Sequence, residues 1–148
     1  MKTADERVAY AMALHEQGYN CAQCVACTFA QDYGFDRETV FRLSEAFGFG
    51  LGGMDTCGAV TGMAFVAGMK YSDGNTEEPK SKNVCYAKMR DLVPAFCDRV
   101  GSLNCAEIKG KTGPLRGSPL KSCTACIEDA VRIVHEKVLM DDKPLNQP

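Results

Sequence analysis

Nine cysteines, at positions 21, 24, 27, 57, 85, 97, 105, 123 and 126, dominate the chemistry open to this chain of 148 residues. Four of them share one local setting. Asn20-Cys21-Ala22-Gln23 and Asn104-Cys105-Ala106-Glu107 both have the pattern of a capping box, a cap residue followed three positions later by Gln or Glu. Ser122-Cys123 and Thr56-Cys57 place a hydroxyl cap before cysteine in the same way. Each spacing predicts a thiol at the first residue of a helix. There, unsatisfied backbone N–H groups and the positive end of the helix dipole favour thiolate. Core packing does not call for cysteine at that place four times.

Thiolates so placed support two chemistries. In the first, two or more thiols cycle between dithiol and disulfide, with Cys57 or Cys21 attacking and a neighbour resolving. In the second, Cys21, Cys57, Cys105 and Cys123 bind one centre, either zinc or an iron–sulfur cluster. A third reading is non-catalytic: a thiol-rich module carrying metal or sulfur for a partner such as a transport system. Cys123 and Cys126 form a C-x-x-C at a helix start, as in dithiol oxidoreductases. Cys21, Cys24 and Cys27 form a C-x-x-C-x-x-C run. It departs from the bacterial ferredoxin pattern, because Gln31 and Asp32 stand where Cys-Pro is required.

The remaining cysteines divide. Cys27, Cys85 and Cys97 read as small buried hydrophobes. Cys24 and Cys126, one turn from a helix-start cysteine, fit packing and chemistry equally. His15 and His135 have no ligand-like partner at helical spacing and read as structural. No triad, nucleotide loop or histidine–carboxylate constellation points to hydrolase or transferase chemistry.

The element that must position Cys57 is the stretch from Gly48 to Gly62. Glycines at 48, 50, 52 and 53 suit a tight loop passing close to other backbone. The helix after it carries Gly58 and Gly62 on one face, where a second helix can approach. Other helices are expected over Thr3 to Gln17, Cys21 to Tyr33, Asp36 to Gly48, Glu77 to Val100, Cys105 to Lys109 and Cys123 to Leu139. Caps, glycine stops and apolar stripes mark them. The stripe of the long helix comprises Val84, Ala87, Met89, Leu92, Val93, Phe96 and Val100, with Pro94 expected to kink it. Lys111 to Lys121 reads as an irregular basic loop. Few stretches alternate at a strand period. The expectation is all-α: a single-domain bundle of six or seven helices over residues 1–140, with a frayed tail over 141–148.

The motif Cys57-Gly58-Ala59-Val60-Thr61-Gly62 now carries a resemblance, with Gly18-Tyr19-Asn20-Cys21 before it and the spaced Cys105 and Cys123 after it. The chain resembles the redox-active family named for four cysteines and a C-G-A-x-x-G motif (C_GCAxxG_C_C), over about Glu6 to Val138. Carried over by position, the family cysteines are Cys21, Cys57, Cys105 and Cys123. The resemblance implies a small α-helical protein with a redox role, often encoded near transporters. A similar domain in multihaem redox proteins adds weight to electron transfer or a cluster. Cys24, Cys27, Cys85, Cys97 and Cys126 are additions to the family pattern.

Composition sets the outer limits. A net charge of −2 offers no basic field for nucleic acid or an anionic membrane. The amphipathic start lacks the apolar core of an export signal, and no apolar run approaches the roughly 20 residues of a membrane span. Nine cysteines without an export signal argue for thiol or metal chemistry in the cytoplasm rather than a disulfide framework. The expected function is a small cytoplasmic cysteine-based redox protein. Its partner would be a redox protein or transport system, and small-residue faces leave a homodimer open.

Overall fold

The computed structural model describes residues 1–142. Among them are seven α-helices, joined by short 3₁₀ and π turns, and no strand. The helices are α1 (Ala4–Glu16), α2 (Cys21–Phe29), α3 (Arg37–Ser44), α4 (Gly58–Tyr71), α5 (Lys82–Val100), α6 (Cys105–Ile108) and α7 (Cys123–Val134). The chain is a single all-α domain. Residues 143–148, most of the tail expected to fray, lie outside the described residues.

The bundle is built around α2. Its sequence, CAQCVACTF, carries no charge, and every residue from Ala22 to Phe29 is buried. α1, α3, α4 and α7 pack around it. The one amide inside, Gln23, is satisfied by accepting from the Asn20 N–H at 3.0 Å and donating to the Phe41 carbonyl at 3.1 Å. That satisfaction matters, because an unpaired buried amide would cost on the order of 1–3 kcal/mol. α7 lays Ile127, Ala130, Val131, Ile133 and Val134 into the same core. Full burial of such a side chain contributes about 1.5–3 kcal/mol.

The close approach of α4 to α2 rests on two glycines. A Cβ added at Gly62 would lie 2.7 Å from Val25 Cβ, and one at Gly58 would lie 3.1 Å from Cys21 Sγ. The small-residue face expected on α4 is therefore covered inside the molecule by α2 and is not a dimer surface.

The structure departs from expectation in the long helix. α5 begins at Lys82, not near Glu77. Asn75 Oδ1 accepts from the N–H groups of Glu77 and Glu78, and Asp73 Oδ1 accepts from Asn75. These local bonds give the backbone an alternative to helix. Leu92, Phe96 and Val100 form its buried stripe, while Ala87 faces solvent. At the other end of the chain, Asp141 is tied to the bundle. Its carboxylate accepts from the Tyr71 hydroxyl and pairs with Lys88 Nζ at 3.1 Å. No helix among the described residues is long and apolar enough to cross a membrane.

Candidate functional site

Three of the four capped cysteines stand where the spacing predicts. Cys21, Cys105 and Cys123 are the first residues of α2, α6 and α7. Asn20, Asn104 and Ser122 cap these helices, accepting from the N–H groups of Gln23, Glu107 and Ala125. The reciprocal bond of a full capping box forms only at Asn20. At Asn104 it is missing because the Glu107 carboxylate accepts from the Ser102 hydroxyl instead, at 3.1 Å.

Cys57 differs from the other three. It is itself the cap of α4, with φ −53° and ψ 131°, and the helix begins at Gly58. Thr56 does not cap, because it is engaged in an isolated antiparallel bridge with Asn104. Cys57 N–H donates to the Leu103 carbonyl at 2.7 Å, and Cys105 N–H donates to the Asp55 carbonyl at 2.6 Å. This bridge fixes the starts of α4 and α6 side by side, so the two cysteines enter one site.

The loop before it is wound through the left-handed region. Phe49, Leu51 and Met54 have φ of 52°, 59° and 58°, a conformation that non-glycine residues rarely adopt. Gly50 lies in the same region at φ 57°, and a Cβ there would fall 2.3 Å from Asp55 N. The winding brings Phe49 to the cavity that Cys21 lines. On the far side, the loop after α6 folds back through bonds from Gly117 N–H to Gly110 O and from Leu120 N–H to Ile108 O, both 2.8 Å. That return brings Cys123 against Lys109.

Cys21, Cys57, Cys105 and Cys123 all line one cavity of about 180 Å³. Cys126 also lines it, as do His15, Phe49 and Lys109. Cys57, Cys105 and Cys126 are buried, whereas Cys21 and Cys123 are partly exposed. Lys109 Nζ donates to Cys123 Sγ at 3.1 Å and stands 5.7 Å from the centroid of the Phe49 ring.

The thiols are not equivalent. Cys57 is held low, at about 7, chiefly by its pairing with the Cys126 thiol. Burial opposes the shift, while the N–H groups of Ala59 and Val60 and the charge of Lys109 reinforce it. Cys126, as the donor, is pushed well above the usual thiol range. Burial raises Cys105 to about 11, and it raises Cys21 against the pull of the Phe49 N–H. The arrangement favours the thiolate at Cys57 and the protonated thiol at Cys21, Cys105 and Cys126. Such a group attacks sulfur or other soft electrophiles.

The other cysteines do not line the cavity. Cys24 and Cys27 are buried in the core, where burial raises them to about 12 and about 11. Their thiols face the carbonyls of Tyr19 and Arg37. Cys85 and Cys97 lie on α5. Two site residues escaped the sequence reading. His15, read as structural, lines the cavity, as does Lys109, read as the end of a short helix. Both arrive through tertiary packing, with no signal in local spacing. The C-x-x-C spacing alone hinted at Cys126.

Among the described residues, no three His, Cys, Asp or Glu side chains are grouped closely enough to hold a metal ion. The four helix-start cysteines share a cavity without forming a coordination shell.

No match to a curated protein or to a solved structure was found. A family model described as "Putative redox-active protein (C_GCAxxG_C_C)" matches residues 19–137, most of the chain. The protein belongs to that family.

Proposed function

We propose that the protein is a small cysteine-based redox protein in which Cys57 is the attacking thiolate. The observation that carries this reading is the buried Cys57 sulfur in a cavity walled by four further cysteines, where the N–H groups of Ala59 and Val60 and the charge of Lys109 favour its thiolate. At neutral pH a substantial fraction of Cys57 is thiolate, the nucleophilic form. It attacks one sulfur of a disulfide, and a second cavity thiol then displaces the product, leaving a disulfide in the protein. Cys21, partly exposed at the same cavity, is a second thiol of the site. Free thiols at this density suit a reducing compartment such as the cytoplasm, where a redox partner protein would return the site to its dithiol state.

The test is thiol counting with site mapping. Reduced protein treated with a mild disulfide oxidant should lose thiols in pairs, and Cys57→Ser should abolish that loss while Cys97→Ser leaves it intact. Equal loss in Cys57→Ser would remove Cys57 from the mechanism.

The convergence of Cys21, Cys57, Cys105 and Cys123 on one cavity supports a second reading, a four-thiolate zinc or iron–sulfur centre. Its ligands would have to close together on binding. Metal and acid-labile sulfide content of anaerobically purified protein decides. Iron with sulfide would replace the dithiol reading with a cluster, whereas metal-free protein that loses thiols in pairs would retain it.

A further inference from the structure

We propose that the rim of the cavity docks an acidic dithiol partner protein. The surface is built from the basic loop between α6 and α7 and the exposed side chains of the left-handed loop before α4. The inference rests on the reading of the cavity as a redox site and adds where its reductant binds and what charge it carries.

The charge is local. Between Glu107 and Glu128 the chain has no acidic residue but carries Lys109, Lys111, Arg116 and Lys121, in a molecule whose net charge is −2. Lys121 is committed to Asp129 at 2.6 Å. Lys109, Lys111 and Arg116 pair with no carboxylate among the described residues. Residues 111–119 are all exposed. Backbone bonds hold the loop in shape: the Lys111 N–H donates to the Ala106 carbonyl at 2.8 Å, and the Arg116 N–H to the Gly113 carbonyl at 3.2 Å. Both ends of the loop, Lys109 and Cys123, line the cavity. Its cations are therefore tethered to the cavity wall.

Apolar side chains share this rim. Phe49, Leu51 and Leu115 are 50%, 52% and 57% exposed, and none belongs to the core or to the side chains packed on it. Phe49 and Leu51 also hold φ of 52° and 59°, where glycine would sit without strain. Internal packing does not account for an aromatic ring and a leucine at those two positions. Phe49 lines the cavity, 5.7 Å from Lys109 Nζ. Exposed apolar groups bordered by unpaired charge suit a protein interface. A membrane or nucleic acid would meet a chain of net negative charge, whereas a docked protein needs only the local patch. The partly exposed Cys21 and Cys123 put cavity sulfur within the reach of such a partner.

The exchange balances with the partner's dithiol as reductant. Its thiolate attacks one sulfur of the cavity disulfide; that S–S bond breaks, and the other cavity sulfur leaves as thiolate. The partner's second thiol gives its proton to this thiolate and attacks the mixed disulfide, which breaks and frees the second cavity thiolate. The partner ends as a disulfide, the cavity as one thiol and one thiolate, and two electrons have passed to the protein.

The experiment oxidises the protein with a mild disulfide oxidant and reduces it with two synthetic Cys-x-x-Cys peptides, one flanked by Asp and Glu and its twin by Asn and Gln. The acidic peptide should react faster, by on the order of tenfold at low salt, and the two rates should converge as salt is added. Net charge alone would give the opposite order. In the double variant Lys111→Glu with Arg116→Glu, both residues being exposed and outside the cavity, the order should invert, while dithiothreitol reduces the variant at the native rate. Equal rates for the twin peptides, or an unchanged preference in the variant, would overturn the docking surface and leave the redox reading intact. Binding to phosphatidylglycerol vesicles or single-stranded DNA that the variant loses, with equal peptide rates, would assign the loop to a membrane or to nucleic acid instead. A native protein that forms no disulfide reversible by dithiothreitol would overturn the redox reading, and the proposal with it.

Discussion

Lys109 Nζ lies 3.1 Å from Cys123 Sγ, and the same ammonium stands 5.7 Å from the Phe49 ring centroid. One cation thus joins the start of the last helix to the left-handed loop before α4. Its charge also lowers the titration of Cys57. Lys109→Met keeps the aliphatic stem and removes the charge. The pH midpoint for alkylation of Cys57 should then rise, read from iodoacetamide incorporation into its peptide across a pH series. An unchanged midpoint would show that the charge does not reach the Cys57 sulfur.

A stronger shift should follow the loss of Cys126. Its hydrogen bond is the largest cause of the low Cys57 value of about 7. Cys126→Ala should therefore move the alkylation midpoint up by more than Lys109→Met does, each unit corresponding to about 1.4 kcal/mol. In the native protein, a short pulse at mildly alkaline pH should label Cys57 ahead of Cys27 and Cys105, both near 11, and Cys24, near 12. Peptide mapping ranks the four directly.

Stability should fall at alkaline pH. Cys57 is depressed from the usual thiol value of 9.0, so its contribution is present above that value and lost as pH falls through about 7. Cys24, Cys27 and Cys105 are raised from 9.0, so their contribution is full below it and lost as pH climbs toward 11 and 12. Above pH 9 the unfolded chain ionises these three first. Each steepens the loss by at most about 1.4 kcal/mol per pH unit. Urea midpoints under reducing conditions should decline from pH 9 upward; a flat profile would mean that these thiols ionise alike in both states.

The glycines of α4 separate by position. Gly62→Ala would drive a Cβ to 2.7 Å from Val25 Cβ and 3.0 Å from the Ala22 carbonyl. Overpacking of this kind costs about 1–3 kcal/mol. Gly68, on the same helix, has open space where its Cβ would be, so Gly68→Ala should stabilise by about 0.8–1 kcal/mol through helix propensity. Denaturant unfolding of the two variants should give opposite signs.

Helix starts were legible because caps are local. Asn20, Asn104 and Ser122 lie next to the cysteines they present, and each accepts from the N–H three residues on. The all-α class followed from apolar spacing for the same reason. The position of Cys57 missed by one residue, because Thr56 is drawn into a bridge with Asn104 that no local pattern encodes. His15 and Lys109 reach the cavity only when α1 packs on α7 and the loop after α6 folds back. α5 began late because Asp73 and Asn75 gave their neighbours' N–H groups a local partner. In each miss, a tertiary contact or a side-chain turn overrode a reading made from neighbours in sequence.

The influence of Cys126 on Cys57 also ties chemical timing to folding. The acidity of the sulfur that caps α4 depends mainly on a thiol supplied by α7, a helix synthesised after it. Until that helix docks, Cys57 has only its own helix and the charge of Lys109 to activate it. An incomplete or partly opened chain therefore loses its most reactive thiolate together with its packing, and the reactivity of Cys57 reports on whether the whole bundle is closed.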